Sequence, residues 1–300
     1  MKKNPGTVYT IENSRLRVRI STFGAEPVSF YDKVKSRELL WQTDINVWDR
    51  QSPLPFPIVN MIRDNAYTYR GKPYRMEIHG FAYLSDFALS EKTGESAAFV
   101  LTSNETTRIQ YPFDFALTIR YSLDRTKMRK EYIVTNTGRE EMIYNAGGHE
   151  GWALALEKGE KMGDYWLLFD EKIELISHIY SRESGIITDK KSGVKLDNRR
   201  LFLKMENLVN NNLTFSNISG KYVELHGPKT GLHVRVRFAD FTVFGLWTAN
   251  YSFDTNFICI EPHMVLPDCE QDSTELTEKK RYRRLPAGQT EILYYSVEVD

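Results

Sequence analysis

The sequence predicts an all-β fold, a single large antiparallel β-sandwich domain over residues 1–300. Three observations carry that expectation. Apolar and polar residues alternate at the strand period in segments spread from one end of the chain to the other. No segment has the long helical-period stripe of a core helix, and a parallel α/β fold would need such helices between its strands. No Pro/Ser/Gly-rich linker or shift in composition divides the chain.

Taken in order, Leu16-Arg17-Val18-Arg19-Ile20 alternates apolar and charged side chains, as a strand with one buried face does. Tyr69 to Tyr74 reads as a hairpin with Gly71 at the turn. From Phe115 to Leu123, the residues Phe115, Leu117, Ile119, Tyr121 and Leu123 share one face, with Thr118, Arg120 and Ser122 on the other. Met128 to Asn136, Leu232 to Phe238 and Glu291 to Val299 repeat the pattern. The predicted helices are short: two turns over Asn198 to Met205 and a charged turn over Thr274 to Arg281.

Forty basic and 40 acidic side chains cancel to a formal charge of zero, which argues against nucleic acid as a partner. Aromatic residues reach 13%, a level that suits large β-proteins and proteins that stack sugars or bases. Cys259 and Cys269 form neither a CxxC nor a His-spaced metal pattern, so no disulfide framework or metal site is expected. Met1 to Pro5 lacks the apolar stretch of a signal peptide and no apolar run reaches membrane-spanning length, so the expectation is a cytoplasmic protein with no membrane partner.

His149-Glu150 begins like a zincin motif, but Ala153 stands where the second histidine should be. With no nucleophile elbow or phosphate loop, general acid–base groups remain as the candidates. Three segments place such groups in apolar or glycine-rich surroundings: Phe56 to Asp64 with Ile78-His79-Gly80-Phe81, Asn145 to Gly151, and Asn256 to His263. Glu261 ends the apolar run Phe257-Ile258-Cys259-Ile260, where desolvation should raise its pKa. A strand-end carboxylate open to water is the other reading. Pro262 should then stop ladder pairing. Gly147-Gly148 lets the backbone before His149 come close to a neighbour or adopt positive φ. Taken singly, His149 and His79 read more readily as turn residues, and Arg63 as a surface ion-pair partner.

In combination, Ile62-Arg63, His79-Gly80, Gly147-Gly148-His149 and Cys259-Ile260-Glu261-Pro262 through Leu266-Pro267-Asp268 resemble, in that order, the motifs of the aldose 1-epimerase (galactose mutarotase) family. The resemblance covers nearly the whole chain. Leu285-Pro286-Ala287-Gly288-Gln289 is similar to the family's last turn, and Gly245-Leu246-Trp247-Thr248 looks like a divergent bacterial branch. The resemblance implies a galactose mutarotase-like supersandwich that interconverts the anomers of an aldose without metal or cofactor, as a monomer or homodimer. It implies Glu261 as general base and His149 as general acid, both facing one cleft with room for a pyranose between them. Arg63, His79, Asn211 and Trp247 would contact the sugar, and Phe81 would touch it too. Asn211, in place of an acid, and His263, in place of a Trp, depart from the family pattern. Two alternatives stay open: a hexose-6-phosphate 1-epimerase drawing on Arg63 and Arg75, or a non-catalytic sugar-binding protein.

Overall fold

The computed structural model describes residues 6–154, 159–169, 175–181, 183–204, 206–208, 212–216, 222–229, 231–249 and 255–300. Two large sheets dominate. One has nine strands, in the spatial order Arg200–Phe202, Trp166–Phe169, Tyr222–His226, His233–Arg237, Thr290–Val299, Lys127–Asn136, Phe115–Asp124, Ser96–Thr102 and Ala88–Lys92. The other has six: Glu150–Ala153, Phe257–His263, Val243–Trp247, Asn212–Phe215, Leu175–Tyr180 and Ile187–Val194. A four-stranded sheet from Val8–Glu12 to Arg37–Glu38 packs at one end, where Phe30 meets Trp152 edge to face at 5.9 Å. Every pairing between these strands is antiparallel, as the alternation requires.

The alternation is literal in Phe115–Asp124, where buried and half-exposed residues succeed one another along nine positions. Ala66–Tyr69 and Lys72–Arg75 form the expected hairpin, and its two turn residues, Arg70 (φ 51°) and Gly71 (φ 75°), both take the left-handed backbone of a type I′ turn.

Two helix assignments change. Asn198 to Met205 contains a strand, Arg200–Phe202, paired with Trp166–Leu168. Leu201 and Leu203 point inward at the strand period, which overrides the helix propensity of the Arg, Leu and Lys residues here; Met205 lies outside the described residues. Thr274 to Arg281 holds one 3₁₀ turn, Leu276–Glu278. The sequence reading missed the α-helix Glu105–Gln110, which is short enough to rest on its cap. Asn104 Oδ1 accepts from the Thr107 N–H at 3.0 Å, and Thr107 Oγ1 accepts from the Asn104 N–H at 2.8 Å. Cys259 and Cys269 are free and buried. Among the described residues no helix is long and apolar enough to cross a membrane.

The two large sheets meet across an apolar core into which an ion pair is set. Lys130 Nζ lies 2.9 Å from Glu150 Oε1, with both side chains essentially without exposure. The same oxygen accepts from Ser52 Oγ at 3.1 Å and from the Tyr295 hydroxyl. The rings of Tyr121, Tyr132 and Tyr295 each lie 5.6 Å from the ammonium. A buried pair of this kind is neutral as a pair but costly to break, because removing one partner strands the other charge. Lys130→Met should therefore lower the unfolding free energy by about 3–5 kcal/mol. Urea denaturation checks this, and an unchanged midpoint would show that the pair does not tie the sheets together.

Candidate active site

Glu261 sits inside the six-stranded sheet, on Phe257–His263, whose seven residues are all buried. The strand does not end at Pro262: Phe244 pairs with Pro262 and Val243 with His263. The Pro262 carbonyl accepts from the Gly148 N–H at 2.8 Å, on the side where strand Glu150–Ala153 has given way to the Gly147-Gly148 segment. The missing proline N–H falls on that side and costs the ladder nothing. Across the sheet lies Gly245, where a Cβ would come within 3.1 Å of the Glu261 Cβ and 3.2 Å of its Oε2. A side chain there would displace the carboxylate.

His149 is brought to this strand by close approach. A Cβ on Gly148 would lie 2.2 Å from the Tyr295 hydroxyl, and one on Gly147 would lie 2.8 Å from the Pro262 carbonyl oxygen. Neither glycine has positive φ, so of the two reasons for glycine here the structure selects contact. The imidazole is held by rings: Trp48 at 5.4 Å, Trp247 at 5.5 Å and His79 at 5.1 Å between centroids. Its Nε2 lies 3.4 Å from Glu261 Oε1.

Burial pushes the Glu261 carboxyl upward, but His149, the His263 hydrogen bond and charge, and His79 outweigh it and hold the group below its ordinary range. The expected upward shift is thus corrected, because three imidazoles surround the carboxylate. His79 behaves differently. Burial, reinforced by His149 and opposed by Glu261, pushes it down to about 3. Its Nδ1 accepts the Asn60 N–H at 3.1 Å, so the ring is neutral with its proton on Nε2. The two segments that meet here both enter the left-handed region, at Asn60 (φ 60°) and His79 (φ 62°).

These groups open onto a cavity of about 320 Å³ whose wall includes Trp48, Arg50, Asn60, His79, His149, Tyr180, Asn212, Trp247, Glu261 and His263. That volume lies at the small-ligand end of the range for binding pockets. A neighbouring cavity of about 250 Å³ shares Tyr180 and Asn212 but has neither Glu261 nor His149 in its wall. The cavity therefore gathers His79, His149, Trp247 and Glu261 as the sequence reading grouped them. It does not gather the others. Arg63 turns away, donating to the Glu270 carbonyl and, at 3.4 Å, to that of Asp272. Arg50 is the arginine at the wall, stacked on Tyr83 at 5.0 Å with Nη1 3.8 Å from Glu26 Oε2. Phe81 belongs to the core against Phe56 and Phe115, and Arg75 is exposed on the hairpin. Asn211 lies outside the described residues; its neighbour Asn212 lines the cavity.

The sequence reading missed Trp48, Arg50 and Tyr180, and noted His263 only as a departure. The one available signal was an aromatic and an arginine close together in the loop before Leu54.

Among the described residues two groups bring metal-ligand atoms together. Of His149, Cys259 and Glu261, the thiol is pushed far up by burial and by Glu261 and Glu150, and a neutral thiol is a poor ligand. In the second group, Glu224, His226 and His233, one carboxylate oxygen pairs with Arg235 at 2.7 Å and the other lies 2.9 and 3.2 Å from the two imidazoles.

A family model described as aldose 1-epimerase matches residues 7–283. The plasmid-encoded protein LacX of Lactococcus lactis subsp. lactis is 30% identical over 298 residues, covering 96% of this chain and 98% of its own. A galactose mutarotase related enzyme from Lactobacillus acidophilus superposes with a TM-score of 0.92 at 30% identity, over 98% of this chain and 97% of that one. A galactose mutarotase-like protein from Lactobacillus casei gives 0.91 at 25% identity, over 98% and 100%.

His79 also sets an acid sensitivity. The unfolded chain takes up a proton near pH 6.5 that the folded ring refuses until about 3, so its contribution to stability is present above 6.5 and lost as pH falls through that window. Unfolding free energies measured from pH 7 to pH 4 should decline, and less steeply for His79→Gln. Equal slopes in the two proteins would contradict the assignment.

Proposed function

Because the chain belongs to the aldose 1-epimerase family, we propose that it interconverts the α and β anomers of an aldose by acid–base ring opening and closure. The observation that carries the reading is the 3.4 Å approach of His149 Nε2 to Glu261 Oε1 at the cavity wall, where that oxygen has no hydrogen-bond partner. The anomeric and ring oxygens of a pyranose are bonded to the same carbon. At 3.4 Å the two groups leave no room for a pyranose between them, which corrects the expected arrangement; they can serve both oxygens side by side along one edge of the sugar.

Glu261, held ionised, takes the proton of the anomeric hydroxyl. His149 gives a proton to the ring oxygen as the C1–O5 bond breaks, leaving the open-chain aldehyde. Rotation about C1–C2 presents the other carbonyl face, O5 attacks it, and the two protons return by the same groups. His79, neutral with Nε2–H as its donor, can bind a sugar oxygen without competing for the catalytic proton. Trp247 and Trp48 supply apolar faces beside the acid, and Asn212 an amide for hydroxyl groups.

Among the described residues the one arginine or lysine at the cavity wall is Arg50, and Glu26 offsets it at 3.8 Å, which supports a neutral sugar over a phosphorylated one. An unpartnered carboxylate oxygen beside an imidazole also supports catalysis over binding alone.

Polarimetry of freshly dissolved α-glucose and α-galactose should show equilibration faster than the spontaneous rate. Glu261→Gln and His149→Asn should each reduce kcat by roughly 10²–10⁴-fold. Acceleration that survives both substitutions would remove these residues from the mechanism. Binding without acceleration of any aldose would leave a sugar-binding protein. In the same assay Trp247→Ala should act mainly on KM, and an unchanged KM would place that indole outside the sugar site.

A further inference from the structure

We propose that His263 is a positioning residue that holds one oxygen of Glu261 and so dedicates the other to the substrate's proton. The inference rests on the acid–base reading above and concerns how its base is aimed. The two oxygens are unequal. Oε2 lies 3.1 Å from His263 Nε2, whereas the buried Oε1 has no hydrogen-bond partner and looks toward His149. A carboxylate oxygen left bare inside a protein is costly unless something completes it, and Glu261 belongs to the wall of the cavity from which a sugar hydroxyl would do so.

His263 can hold the carboxylate because it follows Glu261 by two residues on one strand and shares its face. Its ring fits only because glycine flanks it on both sides, Gly245 on the neighbouring strand and Gly147 in the segment before Glu150. A Cβ on Gly245 would lie 3.0 Å from the His263 Cε1, and one on Gly147 would lie 2.9 Å from its Cδ2. His263 Nδ1 is buried without a partner, and the atom on Nε2 is an acceptor-only carboxylate oxygen, so the proton belongs on Nε2. The ionisable groups facing Glu261 are His149, His79 and Arg50 across the cavity, Tyr180 from Leu175–Tyr180, and Cys259 and His263 on its own strand. Among these His263 is the one hydrogen-bonded to the carboxylate, so its loss should both free the carboxylate to rotate and make it more basic.

His263→Leu removes the donor, and His263→Gln retains an N–H at similar reach. In His263→Leu the acid limb of kcat/KM against pH should move upward by about one unit, and kcat should fall roughly ten- to a hundredfold. His263→Gln should recover much of both. An acid limb at its wild-type position in His263→Leu overturns the proposal, as does equal impairment of the two variants with the limb unmoved. Nitrogen-15 NMR of the unsubstituted protein needs no variant. It should show His263 protonated at Nε2 at neutral pH, and a proton on Nδ1 alone overturns the arrangement. If the unsubstituted protein accelerates no aldose, the acid–base reading fails, and the nitrogen spectrum still decides the His263–Glu261 bond.

Discussion

Lys130 and Glu150 form an ion pair buried between the two large sheets, and the site is built directly against it. Glu150 follows His149 in the chain, so whatever fixes the Glu150 carboxylate also fixes where the imidazole emerges. Lys130, Ser52 and the Tyr295 hydroxyl all converge on one Glu150 oxygen. The pair also keeps the electrostatics of the region workable. Without the ammonium, the Glu150 carboxylate next to His149 in the chain would be left uncompensated in the interior.

Against that anchor, the site is assembled by contact distances that only glycine allows. Gly147 and Gly148 bring one chain segment onto the Pro262 carbonyl and the Tyr295 hydroxyl, and Gly245 leaves space for Glu261 and His263 on the neighbouring strand. The result is a carboxylate enclosed in a sheet interior, normally an unfavourable place for a charge. It is kept ionised chiefly by His149 and by the hydrogen bond and charge of His263, while His79, pushed low by burial, stays a neutral donor. Groups of the same chemical type thus take separate roles through environment alone, the way acid–base sites divide their work.

The strand reading held wherever inward and outward residues alternated cleanly, as in Phe115–Asp124 and Lys127–Asn136, because burial of one face is written directly into residue type. It failed at Arg200–Phe202, where side chains with high helix propensity follow the strand period because a partner, Trp166–Leu168, is waiting. It failed again at Glu105–Gln110, too short for any periodicity to register. In the site, Glu261, His149, His79 and Trp247 were legible because ionisable or aromatic residues stood out against apolar or glycine-rich neighbours. Arg63 carried the same local signal, yet its guanidinium reaches the Glu270 and Asp272 carbonyls. Arg50, in a polar loop, carried only the weak signal of a nearby aromatic, Trp48, and faces the cavity.

The sequence by itself determined the all-β architecture and the membership of the chain in its family, and it singled out the carboxylate and imidazole that meet at the cavity wall. Those features depend on local pattern: alternation along a strand, or a charge at the end of an apolar run. Tertiary structure alone decided which arginine meets the cavity, that His263 binds one oxygen of Glu261, and that the carboxyl is held low when burial acting alone would raise it. Each of these is a balance among residues far apart in the chain. Desolvation, hydrogen bonding and charge compete at one atom, and the winner is set by distances of a few ångströms that no segment of sequence contains.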